Sequence, residues 1–309
     1  MTHKPTMLPP HPTIGVFDSG FGGLTVLHSL LPLIPGAHYI YLGDTARLPY
    51  GSKSRETITR YALSSARFLL GQGADLLVIA CNTATALSLE DIQQALPIPV
   101  VGVIQPGAQA ALAASNLTSD AEEKCHPERS AAKSKDLRFS SPSSQLDPSQ
   151  KPPHVLVLAT TATTQSHAYT HALNTLGLAA TEKACPLLVP LVEEGWIDHP
   201  VTAEVLRIYL TEAFVEAPEA RTLLLGCTHY PLLRPLIERT LAEMNHPMAI
   251  IDSAAATAAR VAGHVSPNSS SALPTTRFYA TDSIEKFQRL GPGFLGHPLS
   301  EVHLLDLGG

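Results

Sequence analysis

The chain has 309 residues, 44% of them hydrophobic and 16% charged, and carries a net charge of −6 at pH 7. That length exceeds one ordinary compact domain and fits two, and the apolar content argues against a largely disordered chain. With an acidic balance and no long Lys/Arg patch, no nucleic-acid partner is expected, and with no apolar run near the ~18 residues of a membrane span, no membrane partner either.

Residues 1–12 read as a Pro-rich flexible tail without an apolar leader core, so no secretory signal is expected and the cytoplasm is the expected compartment. TIGVF (13–17) predicts a buried strand, and Leu24, Leu27 and Leu31 share one face of the helix after it. Between them lies Asp18-Ser19-Gly20-Phe21-Gly22-Gly23, where glycines admit a close ligand and a helix start offers free N–H groups. A plain glycine turn would read the same way. HYIYL (38–42) predicts the next strand, followed by a GDTARLPYG turn (43–51) that ends in Pro49, Tyr50 and Gly51.

LLVIA (76–80) runs into Cys81-Asn82-Thr83 and a helix bearing Leu89, Ile92 and Leu96, and PVVGVI (99–104) precedes an Ala-rich helix. From Ser115 to Pro153 the composition turns to Ser, Pro and mixed charge, too poor in apolar residues to offset the entropy of ordering. A disordered insertion is expected there, and it takes Cys125 out of consideration. HVLVLA (154–159) resumes the alternation and leads to Thr160 and Thr163, hydroxyls able either to cap a helix or to hold a carboxylate. PLLVPLV then ends in Glu193 and Glu194. TLLLG (222–226) leads to Cys227-Thr228-His229 and a helix with Leu236, Ile237, Leu241 and Met244; AIID (249–252) and RFYA (277–280) read as further strands. Near-continuous apolar strands alternating with helices predict an α/β fold with mainly parallel sheets, with ligands at the strands' carboxyl ends.

Cys81 and Cys227 stand in matching contexts: apolar strand, small residue, cysteine, polar groups. Free cysteine is commonly a buried packing residue. A strand end facing a helix start is also where a thiol pKa is expected to fall. Two such thiols facing one carbon acid could remove and return a proton with inversion. Asp18 or His229 would set their protonation, and hydroxyls and amides would bind carboxylates. No C-x-x-C or other metal-ligand spacing is present, so no metal is expected. No dinucleotide fingerprint of the G-x-G-x-x-G type follows an expected strand, and no Walker A sequence occurs.

Taken together, Asp18-Ser19-Gly20, the 43–51 segment, Cys81-Asn82-Thr83, the Thr160/Thr163 pair, PLVEEG (190–195) and GCTHYP (226–231) resemble glutamate racemase, from about Thr13 to Leu295 apart from the insertion. The resemblance implies two pseudo-symmetric α/β domains with the active site in the cleft between them, residues 13–104 plus 250–309 forming one and 105–249 the other. It implies a cofactor-independent isomerase, usually homodimeric, that interconverts L- and D-glutamate and supplies D-glutamate for peptidoglycan. By that similarity Cys81 takes the proton from D-glutamate and Cys227 from L-glutamate. Asp18 would assist Cys81, and His229 would assist Cys227 with Glu193 nearby. Ser19, Pro49, Tyr50, Gly51, Asn82, Thr83, Thr160, Thr163 and Thr228 would hold the substrate. The rival readings are a racemase of aspartate or another acidic amino acid, and a non-catalytic amino-acid-binding protein.

Overall fold

The structure is a computed structural model that describes residues 7–124, 151–266 and 273–308. Most of the expected insertion, with Cys125, and most of the N-terminal tail lie outside the described residues.

The first unit runs β1 (Thr13–Asp18), α1 (Leu24–Leu30), β2 (His38–Gly43), α2 (Arg55–Gly71), β3 (Leu76–Ile79), α3 (Asn82–Ala95) and β4 (Val100–Gly102). Then come α4 (Ile104–Lys124), β5 (His154–Ala159), α5 (Thr161–Ser166), α6 (Ala168–Asn174), β6 (Ala179–Ala184), α7 (Leu188–Glu193), α8 (Pro200–Glu216), β7 (Thr222–Gly226), α9 (Arg234–Glu243) and β8 (Ala249–Asp252). The chain closes with α10 (Ser253–Ala262), β9 (Thr275–Ala280), α11 (Ile284–Leu295) and β10 (Val302–Leu304). Among the described residues no helix is long and apolar enough to cross a membrane.

The strands form two sheets, in orders β10-β9-β2-β1-β3-β4 and β6-β5-β7-β8, and every pairing is parallel. The run β2-β1-β3-β4 in one sheet and β6-β5-β7-β8 in the other have the same topology. The expected α/β architecture with two pseudo-symmetric units is therefore present at the level of strand order. In each sheet the order reverses between the first strand of the unit and the third, the point at which α/β sheets open a crevice for ligands. Cys81 follows the third strand of one unit and Cys227 the third strand of the other.

Helices covering both faces explain the continuous apolar strands. Val16, Tyr39, Tyr41 and Val78 face one core, which also takes Leu156, Leu158, Leu223 and Leu225 from the second sheet. Phe17, Ile40, Leu42, Leu77 and Ile79 face a core of their own, and Val155, Val157 and Leu224 a third. The shared core ties the units together, with α10 packed against both α1 and α4.

Two boundaries differ from expectation. Strand β8 pairs with β7, so the second sheet continues to Asp252 and does not end at 249. Helix α4 passes the expected start of the insertion at Ser115 and continues to Lys124. The run Ala121-Glu122-Glu123-Lys124 consists of good helix formers, and the first proline after it is Pro127. Strands β6 and β10 escape the sequence pattern because they are short or half-exposed edges with little apolar content.

Leu224 is fully buried on the central strand β7. We expect Leu224→Ala to lower stability by about 2–5 kcal/mol, read from denaturant unfolding.

Candidate active site

Strand register sets the site's groundwork. Phe17 pairs with Ile79, so the chain leaves β1 and β3 at the same level as Asp18-Ser19 and Ala80-Cys81. Ala159 pairs with Gly226, so Thr160 and Cys227 leave the second sheet side by side. These two edges face each other across a cavity of about 470 Å³, within the range of small-molecule sites. Ser19, Pro49, Tyr50, Gly51, Cys81, Asn82, Thr83, Thr160, Glu193, Cys227, Thr228 and His229 all line it. Asp18 and Thr163 do not. Asp18 is fully buried at the end of β1, and Thr163 is turned inward by the first turn of α5, behind Thr83 and Thr160. Thr163 is thus a support for the wall, not a part of it.

Close contacts join the two edges. A Cβ built on Gly22 would lie 2.2 Å from Thr228 Oγ1 and 2.8 Å from His229 Nδ1, so only glycine allows the first unit's loop this near. Thr83 Oγ1 lies 3.0 Å from Thr160 Oγ1 and 3.2 Å from Thr163 Oγ1. Tyr169 donates its hydroxyl to Asn82 Oδ1, which leaves the buried Asn82 Nδ2 without a partner on the cavity wall. Tyr50 donates to Asp44, itself ion-paired with Arg47 at 2.9 Å, and this fixes the aromatic wall.

The two thiols are built differently. Cys81 caps α3: its Sγ accepts from Ala84 N at 3.5 Å and donates to Ser19 Oγ at 3.5 Å. Cys227 has no such cap, because a tight 3-10 turn (Tyr230–Leu233) precedes α9. Its Sγ lies 4.0 Å from His229 Nδ1. His229 Nε2 lies 3.2 Å from Glu193 Oε1, and Lys286 Nζ lies 2.7 Å from Glu193 Oε2. Phe294 closes over the imidazole edge-on, with ring centroids 5.3 Å apart.

Burial dominates the electrostatics. It pushes the Cys81 thiol up to about 11, with the nearby Asp18 carboxyl adding to the rise and the Ser19 hydroxyl opposing it. Burial also raises the Cys227 thiol, against a hydrogen bond from the His229 backbone. The lowering expected at a helix start is overcome by desolvation of the thiolate. Asp18 is likewise raised by burial, with His229 and backbone N–H groups opposing. One oxygen, Oδ2, accepts from Gly20 N at 2.9 Å, and Oδ1 has no partner. Burial would raise Glu193 as well, but the hydrogen bonds and charges of His229 and Lys286 outweigh it and hold the carboxyl below its ordinary value.

With Glu193 able only to accept when ionised, the neutral form of the His229 ring carries its proton on Nε2. Nδ1 is then a free acceptor facing the Cys227 thiol. Cys227 thus has the His229–Glu193 pair beside it, and Cys81 feels the charge of the Asp18 carboxyl.

The profile of the Asp/Glu/Hydantoin racemase family matches residues 22–119. A glutamate racemase from Koribacter versatilis is 47% identical, the match covering 96% of this chain and 98% of the relative. The chain belongs to the glutamate racemase family. Solved members of that family superpose over nearly the whole chain. The Thermus thermophilus glutamate racemase, in complex with β-chloro-D-alanine, aligns with a TM-score of 0.75 at 36% identity, covering 97% of this chain and 99% of its own. The Francisella tularensis glutamate racemase, in complex with D-glutamate, aligns with a TM-score of 0.76 at 30% identity, covering 96% and 98%.

Two site residues carry no sequence signal of their own. Lys286 reads as an ordinary exposed helix lysine, and Tyr169 as a core residue of an Ala-rich helix.

Only thiolate reacts with iodoacetamide, so labelling of Cys81 in the unliganded protein should be slow at pH 7. It should rise about tenfold per pH unit toward pH 10, with Cys227 slower at each pH. Peptide mass spectrometry after timed labelling checks this, with the fully buried Cys185 expected to stay unlabelled.

Proposed function

We propose that this chain interconverts L- and D-glutamate without a cofactor, by proton transfer at Cα between Cys81 and Cys227. The carrying observation is the placement of two buried thiols at matching strand ends of two parallel sheets, lining one cavity, with His229 beside Cys227 and the Asp18 carboxyl acting on Cys81 through its charge. Binding alone has no use for that arrangement. Membership of the glutamate racemase family supports the reaction, and the relative in complex with D-glutamate supports the substrate.

In the L-to-D direction, His229 Nδ1 takes the Cys227 proton, and the thiolate removes the Cα proton. Glu193 steadies the imidazolium through Nε2. Cys81, still a thiol, delivers its proton to the opposite face of the carbanion, which leaves Cys81 as thiolate. In the reverse direction Asp18 Oδ1 accepts the Cys81 proton and the roles exchange. The raised thiol pKa values suit this chemistry: they bring each sulfur closer in basicity to the weakly acidic Cα–H, at the cost of a smaller resting thiolate fraction.

Substrate carboxylates are held by the hydroxyls of Ser19, Thr83, Thr160 and Thr228 and by Asn82 Nδ2. Pro49, Tyr50 and Gly51 form the wall beside Thr160; a Cβ on Gly51 would meet Thr160 Cβ at 2.9 Å. In this reading the preorganised donors stabilise charge that develops on the α-carboxylate as the proton leaves. Supply of D-glutamate for peptidoglycan, a cytoplasmic location and a homodimeric assembly extend this reading from the family.

Incubation of the purified protein with L- or D-glutamate in D₂O should place deuterium at Cα of the enantiomeric product, followed by NMR, with no added cofactor. Aspartate run alongside should exchange more slowly, because a pocket discriminates one methylene by only about 1–3 kcal/mol. Absence of exchange with either glutamate enantiomer would refute the reaction. Cys81→Ser and Cys227→Ser should each lower racemisation by about 100- to 10,000-fold in polarimetric assays, since each removes one acid/base partner.

A further inference from the structure

Lys286 stands outside every motif that marks the site. It is on α11, a helix of the first unit, yet its side chain reaches Glu193 on α7 of the second. The ammonium is held between two groups: Glu193 Oε2 at 2.7 Å and the Phe21 ring, whose centroid is 5.5 Å away. It lines the cavity, and among the described lining residues it is the one lysine or arginine. Glu193 thereby has both oxygens committed, Oε2 to Lys286 and Oε1 to His229.

We propose that Lys286 is a positioning residue for the Cys227 half of the reaction. By binding Glu193 Oε2 it keeps that carboxyl ionised and aimed so that Oε1 holds the Nε2 proton of His229, which leaves Nδ1 as the acceptor for Cys227. The inference rests on the two-thiol reading above and extends it to a residue that need not touch substrate.

The geometry leaves Lys286 little other use. A lysine on an exposed helix face would project into water, but this one is only about one-third exposed and is directed at a carboxylate that is largely buried. The titratable groups around the Glu193–His229 pair are Cys227, Asp18, whose rise the His229 charge opposes, and Glu194, next along the chain on the cavity wall. Asp18 and Glu194 are acidic, so neither can replace the ammonium. The downward hold on the Glu193 carboxyl by Lys286 agrees with this role.

Removal of the ammonium has a predictable sign. Loss of a nearby positive charge raises the carboxyl pKa, so Glu193 gains a proton at a higher pH and releases His229. The acid limb of kcat/KM should move to higher pH. Because enantiomers have equal free energy in water, kcat/KM must remain equal in the two directions for any variant. The directional signature therefore lies in isotope effects. If abstraction by Cys227 is slowed, the primary effect with Cα-deuterated L-glutamate should grow relative to that with Cα-deuterated D-glutamate.

The experiment compares wild type, Lys286→Met, Lys286→Gln and Lys286→Arg. In K286M and K286Q the Glu193 carboxyl, followed by carbon-13 NMR in the unliganded protein, should titrate about one pH unit higher. The acid limb of kcat/KM should follow it, and K286R should restore both. In a Glu193→Gln background K286M should cause no further shift, since the group it acts through is gone. An unchanged Glu193 titration in both neutral variants would overturn the proposal whatever the kinetics. So would a fall in activity with the acid limb in place and equal isotope effects, the pattern of a merely structural contact. Failure of wild type to exchange deuterium would instead count against the two-thiol reading, and the NMR titration would still decide the Lys286–Glu193 coupling.

Discussion

Parallel strands deliver all their carboxyl ends to one edge of a sheet, and this protein depends on two such edges facing each other at hydrogen-bonding distance. Neither edge is a site alone. The Gly22 backbone must approach Thr228 and His229 more closely than any Cβ would allow, and Thr83 must reach the hydroxyls of Thr160 and Thr163. The core shared between the sheets, with α10 wedged against α1 and α4, holds the edges in that relation.

Burial is the second governing term, and it acts against the simplest view of a reactive cysteine. A helix start and hydrogen-bond donors favour thiolate, yet desolvation raises both sulfurs and Asp18 with them. The consequence is two sulfurs that are strong bases but seldom thiolate at rest. In the proposed reaction charge is generated within the cavity by local acceptors, and the two acceptors differ. Asp18 offers one unpaired oxygen in a fully buried position, whereas His229 is linked to Glu193, and Glu193 to Lys286, at the cavity edge. The reaction is symmetric in free energy, but the machinery on its two sides is not. That difference follows the local structure after each strand: Cys81 opens a helix directly, and Cys227 enters a tight turn that brings His229 back toward the sulfur.

Much of this was legible in the sequence because parallel α/β sheets leave a strong pattern. Apolar runs such as TLLLG are buried on both faces, so they stand out, and the polar residues that follow them mark the ligand edge. Cys81, Cys227 and the residues beside them were located in that way, and the family resemblance joined them into one site. Where burial was partial the pattern failed. The edge strands β6 and β10 carry too few apolar residues to declare themselves, and helix α4 ran past a compositional boundary because helix propensity continued beyond the change in composition.

The sequence by itself determined the class of fold, the positions of the two thiols and the hydroxyl-rich segments, since each follows from local pattern within a few residues of a strand end. The tertiary structure decided which of those groups share a surface. It turned Thr163 behind the wall, reversed the expected direction of the thiol pKa values and brought Lys286 from the far end of the chain to Glu193. Those outcomes depend on distances between residues remote in sequence and on how deeply each group is buried, and neither quantity is encoded in any local stretch of the chain.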